Sequence, residues 1–185
     1  MIPSSAAMRL FPALFAMLVP VPPVAAEPGA KPEPPVFAAT VASLEWGIFC
    51  ALQEMDRAPA PGTASGWIHV PKDEIGFHWP DRQVVPAALG LGFGVRITAR
   101  PGWDSAAGEA RVWRPGAQAP ETWPSDIYSF GPTMAFFRFD TPDELQTGTW
   151  VFEGWDGDRR LYRAEFEVVS AEAVPGIAQA CGATS

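Results

Sequence analysis

"TWVFEGWDGDRRLYRAEFEVV", Thr149 to Val169, decides the fold. On its C-terminal half Tyr162, Ala164, Phe166 and Val168 alternate with Arg163, Glu165 and Glu167, which is the period-two pattern of a strand with one buried face. On its N-terminal half Trp150 and Phe152 share a face. Directly paired residues lie on the same side of a sheet, so even-numbered residues must meet even-numbered ones. A plain two-residue turn at Asp156-Gly157 would set Trp150 opposite Arg163. The pattern therefore predicts a three- or five-residue loop, or a bulge, around 156–160, and a core position for Trp150.

The "DGD" at Asp156–Asp158 also invites a calcium reading. A calcium loop needs a longer series of oxygen ligands and a distant Glu, and here Arg159 and Arg160 place positive charge where the cation would sit. The motif reads as the bend of a hairpin.

Outward from this hairpin, short β-rich runs recur between Pro and Gly residues: 43–52, 65–70, 74–79, 92–99, 109–114 and 134–139 precede the two strands of the hairpin. Within "FGVRITAR", Val95, Ile97 and Ala99 alternate with Arg96, Thr98 and Arg100. Seven or eight such strands, with no long run of period 3.6, predict an all-β antiparallel sandwich. "TPDEL" at 141–145 carries the one helix-start signal, with Thr141 as cap, Pro142 at the first position and Glu144 completing a capping box. Gly148 follows closely, so a single turn is expected.

The first 26 residues read as a cleaved signal peptide. Arg9 precedes the apolar run Leu10–Val19, which is too short to span a bilayer, and Val24 and Ala26 suit a cleavage site after Ala26. The expected destination is the periplasm, in soluble form. Residues 27–41 are Pro-rich and polar and predict an extended, mobile leader, with one domain over 42–182. The chain has 21 acidic and 13 basic residues, a formal net charge of −8. That balance argues against nucleic-acid partners and anionic membrane surfaces.

Cys50 and Cys181 are the only cysteines. In an exported chain an even count favours a disulfide. It would tie an early strand to the C-terminal tail, with a closure contribution of at most about 5 kcal/mol. Cys-x-x-Cys redox spacing is absent.

The chain offers little that points to chemistry. His69 and His78 are nine apart without an evident third ligand, no G-x-S-x-G elbow exists, and no metal or cofactor is expected. Asp73-Glu74 and Asp143-Glu144 are adjacent pairs whose side chains diverge. Arg96, Arg100, Arg111 and Arg114 are expected to pair with carboxylates on a mixed-charge face. The better lead is aromatic. Of eight tryptophans, Trp103, Trp113 and Trp123 fall in a Pro/Gly-rich stretch, where exposed rings could bind a sugar face or a peptide.

Four segments together resemble the bacterial domain-of-unknown-function family 3859: "EWGIFC" (45–50), "QVVPAALGLGFGV" (83–95), "TGTWVFEGWDGDRRLYRAEFEVV" (147–169) and "AVPGIAQAC" (173–181). Val85 stands where that family's motif has Ile. The resemblance implies an exported, immunoglobulin-like β-sandwich without established activity, and it supplies no catalytic residues. The expected function is a non-catalytic binding or interaction module in the periplasm, with an unidentified protein or glycan partner. The alternatives are a glycan- or cell-wall-binding module using Trp103, Trp113 and Trp123, and a hydrolase using carboxylates assembled by the fold.

Overall fold

In the computed structural model, which describes residues 31–181, the hairpin register is the one its side-chain parity demands. Trp150 faces Phe166, Phe152 faces Ala164 and Gly154 faces Tyr162. The register then shifts, so that Trp155 faces Arg160 and Asp156 faces Arg159. The extra residue, Leu161, forms a bulge, and Gly157-Asp158 makes a two-residue turn with Gly157 at φ +57°. A glycine at the first central position suits a hairpin turn matched to strand twist. The predicted signal peptide lies outside the described residues.

The strands, in chain order, are β1 (Val36–Phe37), β2 (Val41–Cys50), β3 (Met55–Pro59), β4 (Trp67–Pro71), β5 (Trp79–Pro80), β6 (Val84–Ala87), β7 (Leu91–Ala99), β8 (Gly108–Trp113), β9 (Glu121–Pro124), β10 (Thr133–Arg138), β11 (Gly148–Asp156) and β12 (Arg159–Ser170). One sheet runs β9-β8-β11-β12, with β1 and β6 successive along the outer edge of β12. The other runs β10-β7-β2-β5. Strands β3 and β4 form a separate hairpin.

The long strands and β9, taken in order, are β2, β7, β8, β9, β10, β11 and β12. The first, second and fifth share one sheet; the third, fourth, sixth and seventh share the other. That Greek-key distribution is the immunoglobulin-like one, with the fourth strand on the sheet of the third, sixth and seventh. The fold is an all-β antiparallel sandwich, in which β6 and β12 pair in parallel.

Phe93 on β7 sits at the centre of the core. Its ring lies 5.3–6.2 Å from those of Phe137, Phe139, Trp150, Phe152 and Phe166. Trp150 is fully buried and its indole N–H donates to the Gln146 carbonyl at 2.9 Å. Two glycines flanking Phe93 are fixed by close approach. A Cβ at Gly92 would strike the Phe49 ring, and one at Gly94 the Ala135 carbonyl oxygen of β10.

Gly154 carries a similar constraint, since a methyl there would occupy the space of the Tyr162 ring. Tyr162 is buried, so it has nowhere to retreat. Gly154→Ala is expected to destabilise the fold by about 1–3 kcal/mol, the usual range for overpacking. Chemical denaturation of the purified variant measures it.

Several expectations need correction. The run 74–79 is not a strand beyond Trp79: Ile75 and Phe77 are apolar because they pack, in irregular conformation, around Phe49 on the outer face of the β10-β7-β2-β5 sheet. Strands β1, β3, β6 and β9 are additional to the eight predicted runs. The described part of the leader is also anchored. Glu33 N–H donates to Glu165, Gln83 donates to the Glu33 carbonyl, and β1 pairs with Tyr162 and Arg163. The Thr141 turn forms as predicted, a single 3-10 turn over Pro142–Glu144 whose Glu144 carboxylate accepts from Thr141 N–H.

Cys50 and Cys181 form the predicted disulfide, 131 residues apart in sequence. Among the described residues no helix is long and apolar enough to cross a membrane.

Candidate functional site

Asp156, the first carboxylate of "DGD", is spent inside the fold. One oxygen accepts the N–H groups of Ala106 and Ala107, both at 3.0 Å, and the other accepts Arg159 at 2.9 Å. The Ala107 and Ala106 amides and the Arg159 guanidinium hold its carboxyl below the ordinary aspartate range. A depressed folded-state value means stability that is present above the unfolded aspartate value and lost as pH falls through the folded one. The stability gap between wild type and Asp156→Asn is therefore expected to be full near neutral pH and to close in acid. Denaturation of both proteins from pH 7 down to pH 2 reads it.

The three loop tryptophans do not form a platform. Trp123 lies opposite Ala110, on the inward face of its sheet, and is 9% exposed. Trp113 has the other parity on β8, half-buried on the outward face beside Val151. Trp103 packs against the core, with the Arg159 guanidinium 5.1 Å from its ring. Trp113 and Trp123 lie on opposite faces because a strand alternates its side chains, and Trp103 turns inward from its loop, so the three share no exposed surface. The exposed rings among the described residues are instead Phe37 on β1 and the pair Tyr128 and Phe130, stacked at 4.8 Å with Phe130 81% exposed, in the loop before β10. "SDIYSFGP" in the sequence marks that loop, but nothing in it separates exposed from buried rings.

A better-formed site lies along β10. Among the described residues this strand pairs only with β7. Phe139 N–H donates to the Leu91 carbonyl at 3.0 Å, which sets the phase of the ladder. Thr133, Ala135 and Phe137 turn their main-chain groups toward β7; Met134, Phe136 and Arg138 turn theirs away. The far side of β7 agrees, with Ala51 N–H on the Gly90 carbonyl.

A cleft of about 80 Å³ follows this free edge. Met134, Phe136 and Arg138 line it from one parity of β10 and Phe137 from the other. A pocket on a sheet face would be lined by one parity alone, so the cleft runs along the edge itself. Val112 and Trp123 of the opposite sheet form its base, and Trp67, Ile68 and His69 of β4 its outer wall. The β3–β4 hairpin bridges the open side of the sandwich. Met55 packs with the Phe49 cluster outside one sheet, Ala60 is buried in the main core, and Thr122 N–H of β9 reaches the Gly62 carbonyl at 3.0 Å.

The polar groups at the cleft are engaged with one another. His69 Nε2 is 2.7 Å from Asp140 Oδ2, and Arg138 Nε donates to Asp140 Oδ1 at 2.5 Å. His69 Nδ1 is buried without a hydrogen-bond partner. Arg114 Nε lies 2.6 Å from a Glu121 carboxylate oxygen, an ion pair without hydrogen-bond geometry, and the guanidinium lies over the Phe137 ring. Glu144 accepts the N–H groups of Asp140 and Thr141. His78 is elsewhere, its Nδ1 accepting Cys50 N–H. Of the sequence-predicted ring residues, only Trp123 belongs to this cleft.

The predicted arginine pairing holds in part. Arg96 binds Glu45 and Glu74, Arg111 binds Glu109, and Arg100 donates to the Ala39 carbonyl instead of a carboxylate.

No family model matches the chain, and no curated protein matches it. Among solved structures it is similar to an immunoglobulin-like protein from Pseudomonas aeruginosa, at 18% identity and a TM-score of 0.45, over 74% of this chain and 98% of that one.

Proposed function

We propose that this protein is an exported, periplasmic binding module without chemistry of its own, and that the cleft along β10 is its binding surface. One observation carries the reading. The cleft's His, Asp, Arg and Glu side chains are each committed to a partner within the chain, leaving apolar walls and a row of free main-chain groups. A general acid or base needs an open, reachable atom, and a recognition site does not. The disulfide suits an oxidising compartment, and the apolar N-terminal run supplies the route to it. The resemblance to family 3859 belongs to this proposal and points to the same kind of protein.

The test is site-specific photocrosslinking in cells that export the full chain. A photoreactive phenylalanine analogue replaces Ser65 at the lip of the cleft, and in a control replaces Asp158 at the distant hairpin turn. Discrete adducts from position 65 and none from position 158 are expected. Silence at position 65, or identical adducts from both positions, overturns the reading.

A further inference from the structure

The free edge of β10 falls where many immunoglobulin-like sandwiches place another strand. In the constant-type arrangement the fourth strand lies beside the fifth. Here the fourth strand, β9, pairs with β8 in the opposite sheet, so no strand among the described residues pairs with β10 on that side. The cleft occupies that place. Resting on the reading that the cleft is a binding site, we infer that its ligand is an extended, uncharged peptide segment of a partner protein, which adds to the β10-β7-β2-β5 sheet as a strand alongside β10.

Three features select this occupant. First, the N–H and C=O groups of Met134, Phe136 and Arg138 take no partner among the described residues and recur at about 6.8 Å, the repeat of a strand's own main chain. Such a row matches an extended backbone, not a helix or a sugar. Second, the cleft of about 80 Å³ is roughly half the volume of a cavity that takes up benzene, which fits one aliphatic side chain between Trp67, Phe137 and Trp123. Third, Arg114 and Arg138 are already paired with Glu121 and Asp140, so an acidic guest side chain would be buried without a counter-charge. A basic one would meet only Glu144, whose carboxylate already accepts the Asp140 and Thr141 N–H groups. "TMAFFR" has no Pro, no Lys and no bulge, three of the devices that keep an edge from pairing; the cover over this edge is the β3–β4 hairpin, across the cleft. A longer segment passing the N-terminal end of β10 approaches the exposed Phe130, three residues ahead of the strand.

The probe is a capped heptapeptide, acetyl-Thr-Val-Thr-Leu-Thr-Val-Thr-amide, added to the purified, disulfide-bonded protein and followed by amide NMR. Saturable shifts at Met134, Phe136 and Arg138 are expected, larger than at Ala135 and Phe137. N-methylation of the peptide amides facing β10 weakens binding by about tenfold per lost hydrogen bond. Replacing the central Leu with Lys or Asp weakens it by at least about tenfold as well. On the protein side, Met134→Ala and Met134→Pro both remove the side chain, but only proline removes the outward N–H. Binding is expected to survive the first within a few-fold and to be lost in the second. If Met134→Pro does not fold, the N-methylated peptides still decide the matter.

Binding that ignores N-methylation overturns strand addition while leaving the binding-module reading intact. So does a failure of the peptides while position 65 still crosslinks a partner. A self-associated protein whose Met134, Phe136 and Arg138 amides are already protected assigns the edge to a second copy and overturns the peptide. Failure of both peptides and crosslinking removes both readings.

Discussion

Replacing Phe93 with alanine is expected to destabilise the protein by about 3–5 kcal/mol, the range for removing a buried phenylalanine from a packed core. Few positions give a larger effect, and the reason is geometric. Phe93 comes from the middle strand of one sheet and meets rings from β10, β11 and β12, so it joins both sheets through edge-to-face and tilted contacts with Phe137, Trp150, Phe152 and Phe166. Its backbone position is fixed by Gly92 and Gly94, which allow no shift toward Phe49 or β10. The cavity left by truncation therefore cannot collapse easily. A domain of this size loses about 2–4 °C of Tm per kcal/mol, so a fall of about 6–20 °C is expected. Differential scanning calorimetry of the disulfide-bonded variant measures it; a loss below about 1 kcal/mol would mean that Phe93 is not the hub.

The second large effect belongs to the disulfide. Cys50 ends β2, and Cys181 closes a tail that packs through a short helix, Pro175–Ala178, with Ile177 buried. The bridge closes 131 residues, nearly the whole described chain, and restricts the unfolded ensemble accordingly. The Cys50→Ser, Cys181→Ser double variant is expected to lose about 2–5 kcal/mol. The loss should be accompanied by release of the tail, because Cys181 and Ile177 are its main buried anchors. Glu172 then becomes a preferred site for a glutamate-specific protease in the variant and stays resistant in the oxidised wild type. Equal resistance in both would show that the tail is held without the bridge.

The hairpin was legible in the sequence because a buried face imposes strict alternation, and a slip of one residue would turn Trp150 and Phe152 to solvent. Parity alone required a residue out of step, read as a three- or five-residue loop or a bulge around 156–160; the structure resolves it as a bulge one position further on, at Leu161. The same logic misled at 74–79, where Ile75 and Phe77 alternate with polar neighbours yet cover Phe49 without joining a ladder. Strand β9, "ETWP", is too short and too close to Pro120 and Pro124 to announce itself, so Trp123 read as a loop ring although its partner Ala110 turns it inward. Strand β3, "MDRAP", is polar and carries no apolar period. The cleft was beyond local pattern altogether. It depends on which sheet β9 joins, on the phase of hydrogen bonds along β10, and on a hairpin that crosses from one sheet to the other. None of these is written in a window of ten residues. Its polar members, His69, Asp140, Arg138, Arg114 and Glu121, come from distant positions that only the topology brings together.

The central claim is that β10 presents an unpaired edge to the cleft, and amide hydrogen exchange resolved by residue tests it most directly. The free protein is expected to exchange Met134, Phe136 and Arg138 at least about a hundredfold faster than Ala135 and Phe137, whose amides open only with the β7 ladder. Uniformly slow exchange along the strand would show the edge already paired and would contradict the account.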